Sequence, residues 1–441
     1  MRNFLLKNLM LFGFAVLVTV YIQGDTHAQD YSADVATTWF ELQLKLVQET
    51  PGFTPPVASR AFGYSAVALY ESIVPGMPEY QSLAGQLNAL EALPQPEPNL
   101  FYDWPTVANS ALATITRRLY PTATEENQSA INALEAGFNT SVSHLNPVVI
   151  SRSIAHGQAV AEAVYTWSLT DGGHEGYKTN FNDQYQPPAG IGFWVSTPRS
   201  NGDPQSALQP FWGDNRPFVL ESGAECMAAE HPLYSEDEGS DFYAEAWEVY
   251  TVSQELTADQ QEIALFWADD PGKTATPPGH SISILTQILQ AEEASLGFAA
   301  EAYARMGIAV NDAFIGCWNA KYVYNLLRPV SYIQQMIDET WLPIIDTPPF
   351  PEYPSGHSVQ SGAAAVVLND LFGENYHFVD HTHDALGLAP RTFASFDDLA
   401  AEAAISRLYG GIHYRAAIEL GLDQGRCIGE QVEALQFHRD V

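Results

Sequence analysis

The chain is 441 residues long, with 46% hydrophobic residues and a formal net charge of −34 at pH 7. Such a length holds one large domain or two ordinary ones, and this hydrophobic content excludes a disordered chain. The strong negative charge argues against nucleic acid and anionic membrane surfaces as partners, because both would repel it.

The first 28 residues have the pattern of a cleaved secretory signal. Arg2 and Lys7 are basic, the stretch 9–22 is almost wholly apolar, and Ala28 closes a small-residue cleavage motif. An N-terminal membrane anchor is the alternative, but the apolar run is shorter than the roughly 20 residues that a span needs. We therefore expect a secreted or periplasmic protein without stable membrane association after the signal is removed.

Apolar residues recur at helical spacing along most of the chain, and the alternation typical of strands is scarce. We therefore predict an all-α helical bundle with long irregular loops. The predicted helices cover 33–50, 57–74, 104–118, 125–140 and 149–168, followed by Ala-rich helical stretches at 279–307 and 358–372.

Residues 170–240 differ, because Gly, Pro, Asn, Asp and aromatic residues dominate there. Long loops in compact domains are often functional, so this stretch is either a lid or channel wall or a structural wrap between helical layers. Helices are expected to resume near 241 and to be interrupted at 343–354 and by a polar loop at 376–395.

The mature chain accordingly divides into two predicted parts. An N-terminal helical region spans 29–240 and includes the irregular stretch, and a C-terminal helical core spans 241–441. We expect the two parts to share one interface rather than to fold independently.

The three cysteines, Cys226, Cys317 and Cys427, are widely spaced, without CxxC or zinc-site spacing. An odd number leaves at least one thiol free or in an intermolecular bond. Cys317 lies in an apolar stretch and is expected to be a packing residue.

The first motif with chemical content is Lys321-(x6)-Arg328-Pro329. Seven residues are close to two helical turns, so both cations would project from one face of a helix that Pro329 then ends or turns. Two stacked cations suit a multiply charged oxyanion, and the planar arginine fork bonds two oxygens at once. Taken alone, the pair is typical of two solvated surface cations.

The second motif, Pro354-Ser355-Gly356-His357, precedes an apolar helix. The Ser355 hydroxyl can donate, Gly356 lets backbone N–H groups approach an anion, and the helix N-terminus carries partial positive charge. His357 would lie beside this cradle, placed to move protons. An ordinary helix cap is the alternative.

The third motif is Ser406-Arg407-(x5)-His413. On an unbroken helix Arg407 and His413 would point in different directions, but Gly410 and Gly411 lie between them and permit a turn that reorients His413. The alternative is an ordinary helix–turn–helix with a buried histidine.

Together the motifs concentrate positive charge around two histidines in a chain with only 19 Lys and Arg residues. This combination predicts an oxyanion site for phosphate or for its structural mimic, vanadate.

The combined pattern resembles that of the vanadium-dependent haloperoxidases, which share a fold and an anion site with the type 2 phosphatidic acid phosphatases and bacterial acid phosphatases. The resemblance covers residues 257–434 closely and matches every motif position. The acid that follows the last histidine in the phosphatases has no clear counterpart, since the nearest acid is Glu419. This departure weighs against the phosphatase function.

Flanking residues resemble the chloroperoxidase-like branch of that family. They include Trp318 before the first motif, Phe350 before the second, and the segment 266–270 upstream. The resemblance implies that Trp318 and Phe350 shape the halide side of the pocket. It also implies that Asp270, or alternatively Asp269, pairs with Arg407.

The resemblance implies vanadate as cofactor, coordinated by His413, with His357 as acid–base group and Lys321 polarising the bound peroxide. Hydrogen peroxide, halide and a small organic acceptor would be the partners, and a homodimer is compatible with the family. The implied cradle for the vanadate oxygens consists of Lys321, Arg328, Ser355, Gly356 and Arg407.

Two alternatives keep the same residues. A secreted acid phosphatase would use His413 as nucleophile, form a phosphohistidine and protonate the leaving oxygen from His357. An inactive oxyanion-binding protein is the third hypothesis, against which the presence of both histidines argues.

Two further groups of polar residues receive structural interpretations. The segment 380–384 (Asp-His-Thr-His-Asp) contains ligand-type side chains, but it lacks helical i,i+4 spacing and is predicted to be a solvated or channel-rim loop. His280 follows a Pro-Pro-Gly run and is predicted to begin or cap a helix, with a supporting role near the cradle as the alternative.

Overall fold

The computed structural model describes residues 27–28, 31–182, 184–197 and 205–439, and in these ranges the prediction of an all-α chain is confirmed. Apart from residues 27 and 28, the predicted signal lies outside the described residues. The helices are α1 (Asp34–Glu49), α2 (Pro55–Ile73), α3 (Trp104–Leu119), α4 (Glu125–Ser141), α5 (Pro147–Ser168), α6 (Asp241–Gln254), α7 (Ala258–Phe266), α8 (Thr276–Ala291), α9 (Leu296–Tyr324), α10 (Pro329–Met336), α11 (Gly356–Phe372), α12 (Phe396–Tyr409) and α13 (Arg415–Glu433).

The stretch 279–307, predicted as one helical segment, belongs to two helices. Helix α8 ends at Ala291, and Glu293 adopts a positive φ of 49° in the connection. Ser295 then begins α9, and its side chain accepts the Phe298 N–H at 3.3 Å. A side-chain cap of this kind satisfies a donor that the helix itself leaves unpaired.

Helix α9 is the central element of the fold, since nearly all of its 29 residues are buried. It packs against α2 from the N-terminal part and α11 from the C-terminal part, so both parts of the chain contribute to one core. The α2–α9 contact depends on small residues, because a Cβ added to Gly307 would lie 2.8 Å from the Cβ of Ala66 and 3.1 Å from the Cα of Gly63.

Helices α11 and α13 also approach closely, and α11 carries the second motif at its start. A Cβ on Gly425 would lie 2.1 Å from the Val359 carbonyl oxygen, and one on Gly362 would lie 2.7 Å from the Leu422 carbonyl oxygen. Real side chains cannot occupy these positions without moving the helices, so the two glycines set the helix separation.

The irregular stretch 170–240 lies against α9 and acts both as a wrap and as a cavity wall. The buried Asp312 of α9 accepts the N–H groups of Phe218 and Val219 at 2.7 and 2.8 Å. The carbonyl of Leu208 accepts the Trp318 Nε1–H at 3.2 Å, and Leu208 lines the cavity described below. Both predicted roles for this stretch therefore apply to the part of it that the structure describes.

The predicted polar loop at 376–395 contains a short antiparallel ribbon of β1 (Phe378–Asp380) and β2 (Arg391–Phe393). The prediction that 380–384 is solvated is wrong for two of its residues, because Asp380 and His383 are 0% and 3% exposed. The physical reason is that both side chains turn inward towards His280 and Asp269, as described below.

Cys226 and Cys427 form a disulfide, and Cys317 is a buried free thiol, as its apolar context predicts. The disulfide joins the irregular stretch to α13 across 201 residues of sequence. None of the helices in the described part of the chain is long and apolar enough to cross a bilayer.

Candidate active site

Residues of the second and third motifs line one cavity of about 130 Å³, and Arg328 of the first motif contacts His413 in its wall. His357, Arg407 and His413 line one part of it, and Trp318 and Phe350 line another. The cavity therefore has a cationic, histidine-bearing side and an aromatic side.

Lys321 occupies the last turn of α9 and is fully buried. Its ammonium donates to the carbonyl groups of Pro351 at 3.1 Å, Glu352 at 3.0 Å and Pro354. Burial lowers the pKa of this lysine to about 7. The three hydrogen bonds of the Lys321 ammonium connect α9 to the segment that leads into the second motif.

Arg328 lies outside α9, so the predicted shared helical face with Lys321 is wrong. Helix α9 ends at Tyr324, where Asn325 adopts the left-handed conformation, and Pro329 begins α10 rather than ending a helix. Proline suits a first helical position, where its missing N–H costs nothing. The two cations still reach one site because the chain turns back between the helices.

The guanidinium of Arg328 makes three contacts, one of which is to His413 in the cavity wall. Nε donates to the Phe350 carbonyl at 3.0 Å, and Nη1 donates to the Ile412 carbonyl at 2.9 Å and contacts His413 Nε2 at 3.1 Å. Nη2 is buried without a hydrogen-bond partner among the described residues. Burial lowers the pKa of Arg328 to about 10, which still leaves the group charged at neutral pH.

Arg407 occupies the last turn of α12, and its Nη1 donates to the Trp267 carbonyl at 2.8 Å. Its Nε is buried and has no partner in the described part of the chain. Burial lowers the pKa of Arg407 to about 10, while the charges of Asp270 and Asp269 oppose that shift.

Ser355 is the N-cap of α11, and its hydroxyl accepts the Ser358 N–H at 3.3 Å. Gly356 is the first residue of that helix and lines the cavity. A Cβ at Gly356 would make only ordinary contacts, 3.7 Å from Trp318 and 3.9 Å from Cys317. The N-terminus of α11 therefore presents backbone N–H groups to the cavity, as the motif predicts.

His357 lines the cavity, and its Nε2 is buried without a partner within the described ranges. Burial lowers its pKa well below the usual range, and the charge of Arg407 lowers it further. The imidazole is therefore neutral at neutral pH and is able to accept a proton.

His413 lies in the turn between α12 and α13, where Gly410 and Gly411 end the helix as predicted. Gly411 adopts a φ of 79°. The Nδ1–H of His413 donates to Glu352 Oε1 at 2.8 Å, an oxygen that also accepts the Tyr414 N–H at 2.9 Å. The proton is therefore on Nδ1, and the Nε2 lone pair accepts from Arg328.

Burial lowers the pKa of His413 well below the usual range, and the charges of Arg328 and Lys321 add to this shift. A neutral imidazole with a fixed tautomer is the form that coordinates a metal centre. Burial also raises the pKa of Glu352 to about 8, although the same two cations oppose that effect.

Glu352 is the residue in contact with the candidate site that the sequence analysis missed. Glu419, the acid nearest to His413 in sequence, pairs instead with Arg415 at 3.4 Å. Glu352 lies 61 residues before His413 but directly precedes the second motif, and that adjacency was the available signal.

The two acids considered for Arg407 lie nearby but bond to other groups. Asp270 pairs with Lys273 at 2.9 Å, and Asp269 contacts His280 and His383 at 2.8 and 3.2 Å. Both acids line the cavity and act on Arg407 through their charge. The hydrogen bond that Arg407 makes goes to a backbone carbonyl instead.

Trp318 and Phe350 form the aromatic side, with ring centroids 5.0 Å apart. The ammonium of Lys321 lies 5.1 Å from the Phe350 ring centroid, and the guanidinium carbon of Arg328 lies 5.0 Å from it. The Phe350 ring thus covers both cations and restricts their contact with water.

Three buried basic residues, Lys321, Arg328 and Arg407, lie in or next to this site, and the acid that bonds to it through His413 is Glu352. Buried polar groups in proteins are normally hydrogen-bonded, and buried charges are normally compensated. The unpaired donors on Arg328 and Arg407 therefore indicate an anion with several oxygens as the missing partner. Vanadate fits this donor set, and His413 Nε2 is a nitrogen atom that could serve as a ligand.

Comparisons with known proteins give the family and the fold of the chain. Residues 301–440 match a family model described as the second helical-bundle domain of VCPO. The chain is similar to a bacterial vanadium-dependent iodoperoxidase of known structure, with 38% identity, a TM-score of 0.84 and coverage of 93% of this chain and 98% of that one. A search of curated proteins found no match.

Two more distant structures share the fold. A holo bacterial vanadium-dependent chloroperoxidase has 16% identity and a TM-score of 0.67, covering 88% of this chain and 93% of that one. An apo chloroperoxidase of the same kind has 16% identity and a TM-score of 0.66, covering 92% of this chain and 98% of that one.

Proposed function

Because this chain belongs to the vanadium-dependent haloperoxidases, we propose that its buried cationic cavity is the vanadate site and that iodide is its preferred halide. Use of vanadate and oxidation of halide by an enzyme follow from family membership. The roles of individual residues and the choice of halide are inferred from the contacts described above.

The observation that carries the proposal is the set of unpaired nitrogen atoms around the cavity. Arg328 Nη2, Arg407 Nε and His357 Nε2 are buried and lack partners among the described residues. An oxyanion in the cavity would accept from both guanidinium groups and compensate their charge. Lys321 and the N-terminus of α11 would add positive potential on the same side.

His413 would bind the vanadium through Nε2. Glu352 holds the proton on Nδ1 and thereby keeps the Nε2 lone pair directed at the site. Metal-binding histidines commonly donate their second nitrogen to a carboxylate in this way. When bound, vanadate supplies a Lewis-acid centre that binds peroxide and makes its oxygen susceptible to attack by halide.

His357 would act as the acid–base group. Its neutral state lets it accept a proton from incoming hydrogen peroxide, and the protonated ring can then return that proton to the departing oxygen. Arg407, a contributor to the low pKa of His357, favours the return step because its positive charge destabilises the imidazolium.

The halide preference is supported by two observations. The neighbour with 38% identity is an iodoperoxidase. The aromatic side formed by Trp318 and Phe350 resembles the chloroperoxidase-like branch in sequence, but its apolar surface also suits a large, weakly hydrated anion such as iodide. A small organic acceptor would take up the oxidised halogen after its release.

The experiment uses protein dialysed against a chelator and assayed with peroxide in phosphate-free buffer, with and without orthovanadate. We expect vanadate-dependent oxidation with kcat/KM falling from iodide to bromide to chloride, and inhibition by excess phosphate. Halide oxidation without vanadate would contradict the vanadate site, and a preference for chloride would contradict the halide choice. Hydrolysis of nitrophenyl phosphate without halide oxidation would instead favour a phosphatase.

We also propose that the protein is exported to a secreted or periplasmic location. The Cys226–Cys427 disulfide supports this location, because such bonds persist in oxidising compartments. Expression of the full chain followed by fractionation and N-terminal sequencing is expected to give an exported form that begins near residue 29. Retention of the uncleaved chain in the cytosol would contradict export.

A further inference from the structure

A buried cluster of two acids and two histidines adjoins the cavity, and one of its acids, Asp269, lines the cavity. His280 Nδ1 lies 2.8 Å from Asp269 Oδ2, and its Nε2 lies 2.7 Å from Asp380 Oδ2. His383 Nε2 lies 3.2 Å from Asp269 Oδ1. All four side chains are at most 3% exposed, so the cluster is held away from solvent.

The contacts of His280 define its protonation state. Both ring nitrogens face carboxylate oxygens that accept hydrogen bonds, so both nitrogens carry protons and the ring is an imidazolium. Burial alone would lower the pKa of His280, but the charges of Asp269 and Asp380 overcome burial and raise the pKa to about 10. A doubly protonated ring has no lone pair for a metal ion, although Asp269, His280 and His383 are close enough together to suggest one.

The imidazolium is connected to the anion site through Trp267. The His280 ring stacks on the Trp267 indole, with centroids 4.4 Å apart and an interplanar angle of 18°. The Trp267 carbonyl accepts the Nη1–H of Arg407 at 2.8 Å, and the Trp267 backbone also hydrogen-bonds His357. A displacement of Trp267 would therefore move a cradle cation and the acid–base histidine together.

The edge of the Trp267 indole is also fixed, because its Nε1–H donates to Glu402 Oε1 at 3.1 Å. The indole is thus held between a stacked cation and a carboxylate, and its rotation about the backbone is restricted. Stacking of a cation on an indole face is strengthened when the pair is removed from water, and both His280 and Trp267 are buried.

We propose that His280, held as an imidazolium between Asp269 and Asp380, is a positioning residue that fixes the Trp267 carbonyl and, through it, Arg407 and His357. The inference rests on the proposed anion site and adds to it a supporting network. In this network Asp269 binds His280 and does not bond to Arg407. The Trp267 carbonyl orients Arg407 instead.

The test compares His280→Gln with His381→Gln, a matched control at a histidine that lies close by but outside this network. His381 is half-exposed and pairs with Asp384, so its loss leaves Trp267 untouched. Orthovanadate binding would be measured by calorimetry, and the environment of bound vanadate by ⁵¹V NMR. Loss of a supporting contact of this kind weakens metal binding roughly tenfold to a hundredfold.

We expect that range of affinity loss for His280→Gln, with a shifted ⁵¹V resonance, and wild-type behaviour for His381→Gln. A purely structural role would lower Tm while leaving vanadate affinity and the resonance unchanged well below Tm, and that result would overturn the proposal. If His280→Gln fails to fold, Asp380→Asn replaces it and is expected to weaken vanadate binding in the same direction. Unchanged vanadate affinity in folded Asp380→Asn would then overturn it.

Two controls separate this inference from the proposed function. Absence of vanadate binding by the wild-type protein would refute the anion site itself, whereas equal binding by wild type and His280→Gln would refute only the positioning role. One equivalent of zinc in the purified wild-type protein that is lost in His383→Ala would also overturn the proposal, because a metal ion would then hold the cluster.

Discussion

Glu352 accepts the Nδ1 proton of His413 at 2.8 Å, and this hydrogen bond selects the tautomer with a lone pair on Nε2. That lone pair accepts from Arg328 at 3.1 Å, a contact that a bound vanadium would replace. The two residues are 61 positions apart, yet each belongs to a segment that also contributes another group to the cavity. The segment that leads to Ser355 and Gly356 therefore also orients the proposed vanadium ligand, through Glu352.

Replacement of Glu352 by alanine tests this relationship. The change leaves His413 Nδ1–H and the Tyr414 N–H without their acceptor, which costs about 1–3 kcal/mol of stability. We expect orthovanadate affinity to fall roughly tenfold to a hundredfold as the tautomer is released. Calorimetric titration of folded protein measures the affinity.

Glu419→Ala is the matched control, because Glu419 is the acid closest in sequence after His413 but pairs with Arg415 on the surface. It should bind vanadate as the wild type does. Equal losses in the two variants would show that the contact between Glu352 and His413 has no special role.

The pKa of Lys321 predicts a pH dependence of anion binding. Burial lowers this pKa to about 7, so the free site loses a positive charge as the pH rises through that value. A bound anion stabilises the ammonium form and raises its pKa, which means that binding takes up a proton above pH 7. Anion affinity should therefore be greatest below pH 7 and fall by up to about tenfold per pH unit above it.

Tungstate is a suitable probe, since it remains a dianion over the range from pH 6 to 9. Its affinity should decline across that range in the wild type and decline less in Lys321→Met, where the remaining slope reflects ionisation of Glu352 near pH 8. An affinity that rises with pH in the wild type would contradict the assignment.

The sequence alone predicted that the three motifs meet at one site. Basic residues are rare in this chain, so their occurrence beside two histidines in three separate segments indicated a shared function. The Ser355 cap, the α11 N-terminus and the glycine turn before His413 all occur where the local sequence signals place them. Local signals of this kind act over one or two helical turns, which is the range that a single sequence reveals.

Other features depend on contacts between distant segments and could not be predicted locally. The seven-residue spacing of Lys321 and Arg328 favoured one helix, but the left-handed Asn325 ends α9 between them. Burial of Asp380 and His383 depends on His280, which lies about 100 residues earlier. The disulfide pairing likewise follows from the position of α13 beside the irregular stretch.

The Cys226–Cys427 disulfide should contribute substantially to stability. It closes a loop of 201 residues, and loss of a native disulfide typically costs 2–5 kcal/mol. We expect Cys226→Ser to lower the free energy of unfolding by about that amount in chemical denaturation. The wild type treated with reductant should lose a similar amount, and insensitivity of its unfolding midpoint to reductant would contradict the prediction.

Two helical glycines should respond oppositely to alanine. In Gly425→Ala the new methyl would lie 2.1 Å from the Val359 carbonyl oxygen, so we expect a loss of about 1–3 kcal/mol as α11 and α13 separate. Gly137 in α4 has open space around its Cβ position, so Gly137→Ala should stabilise by up to about 1 kcal/mol. Urea denaturation measures both, and destabilisation of the same size in both variants would contradict the close approach of the two helices.

The most direct test of the proposed site is iodide oxidation by His413→Ala at saturating peroxide, over a series of orthovanadate concentrations. His381→Ala serves as the histidine control, because that ring is half-exposed and outside the cavity. Vanadate-dependent turnover should be lost in His413→Ala without a change in secondary structure, and it should persist in His381→Ala. Wild-type turnover by folded His413→Ala would contradict the assignment of the vanadate site.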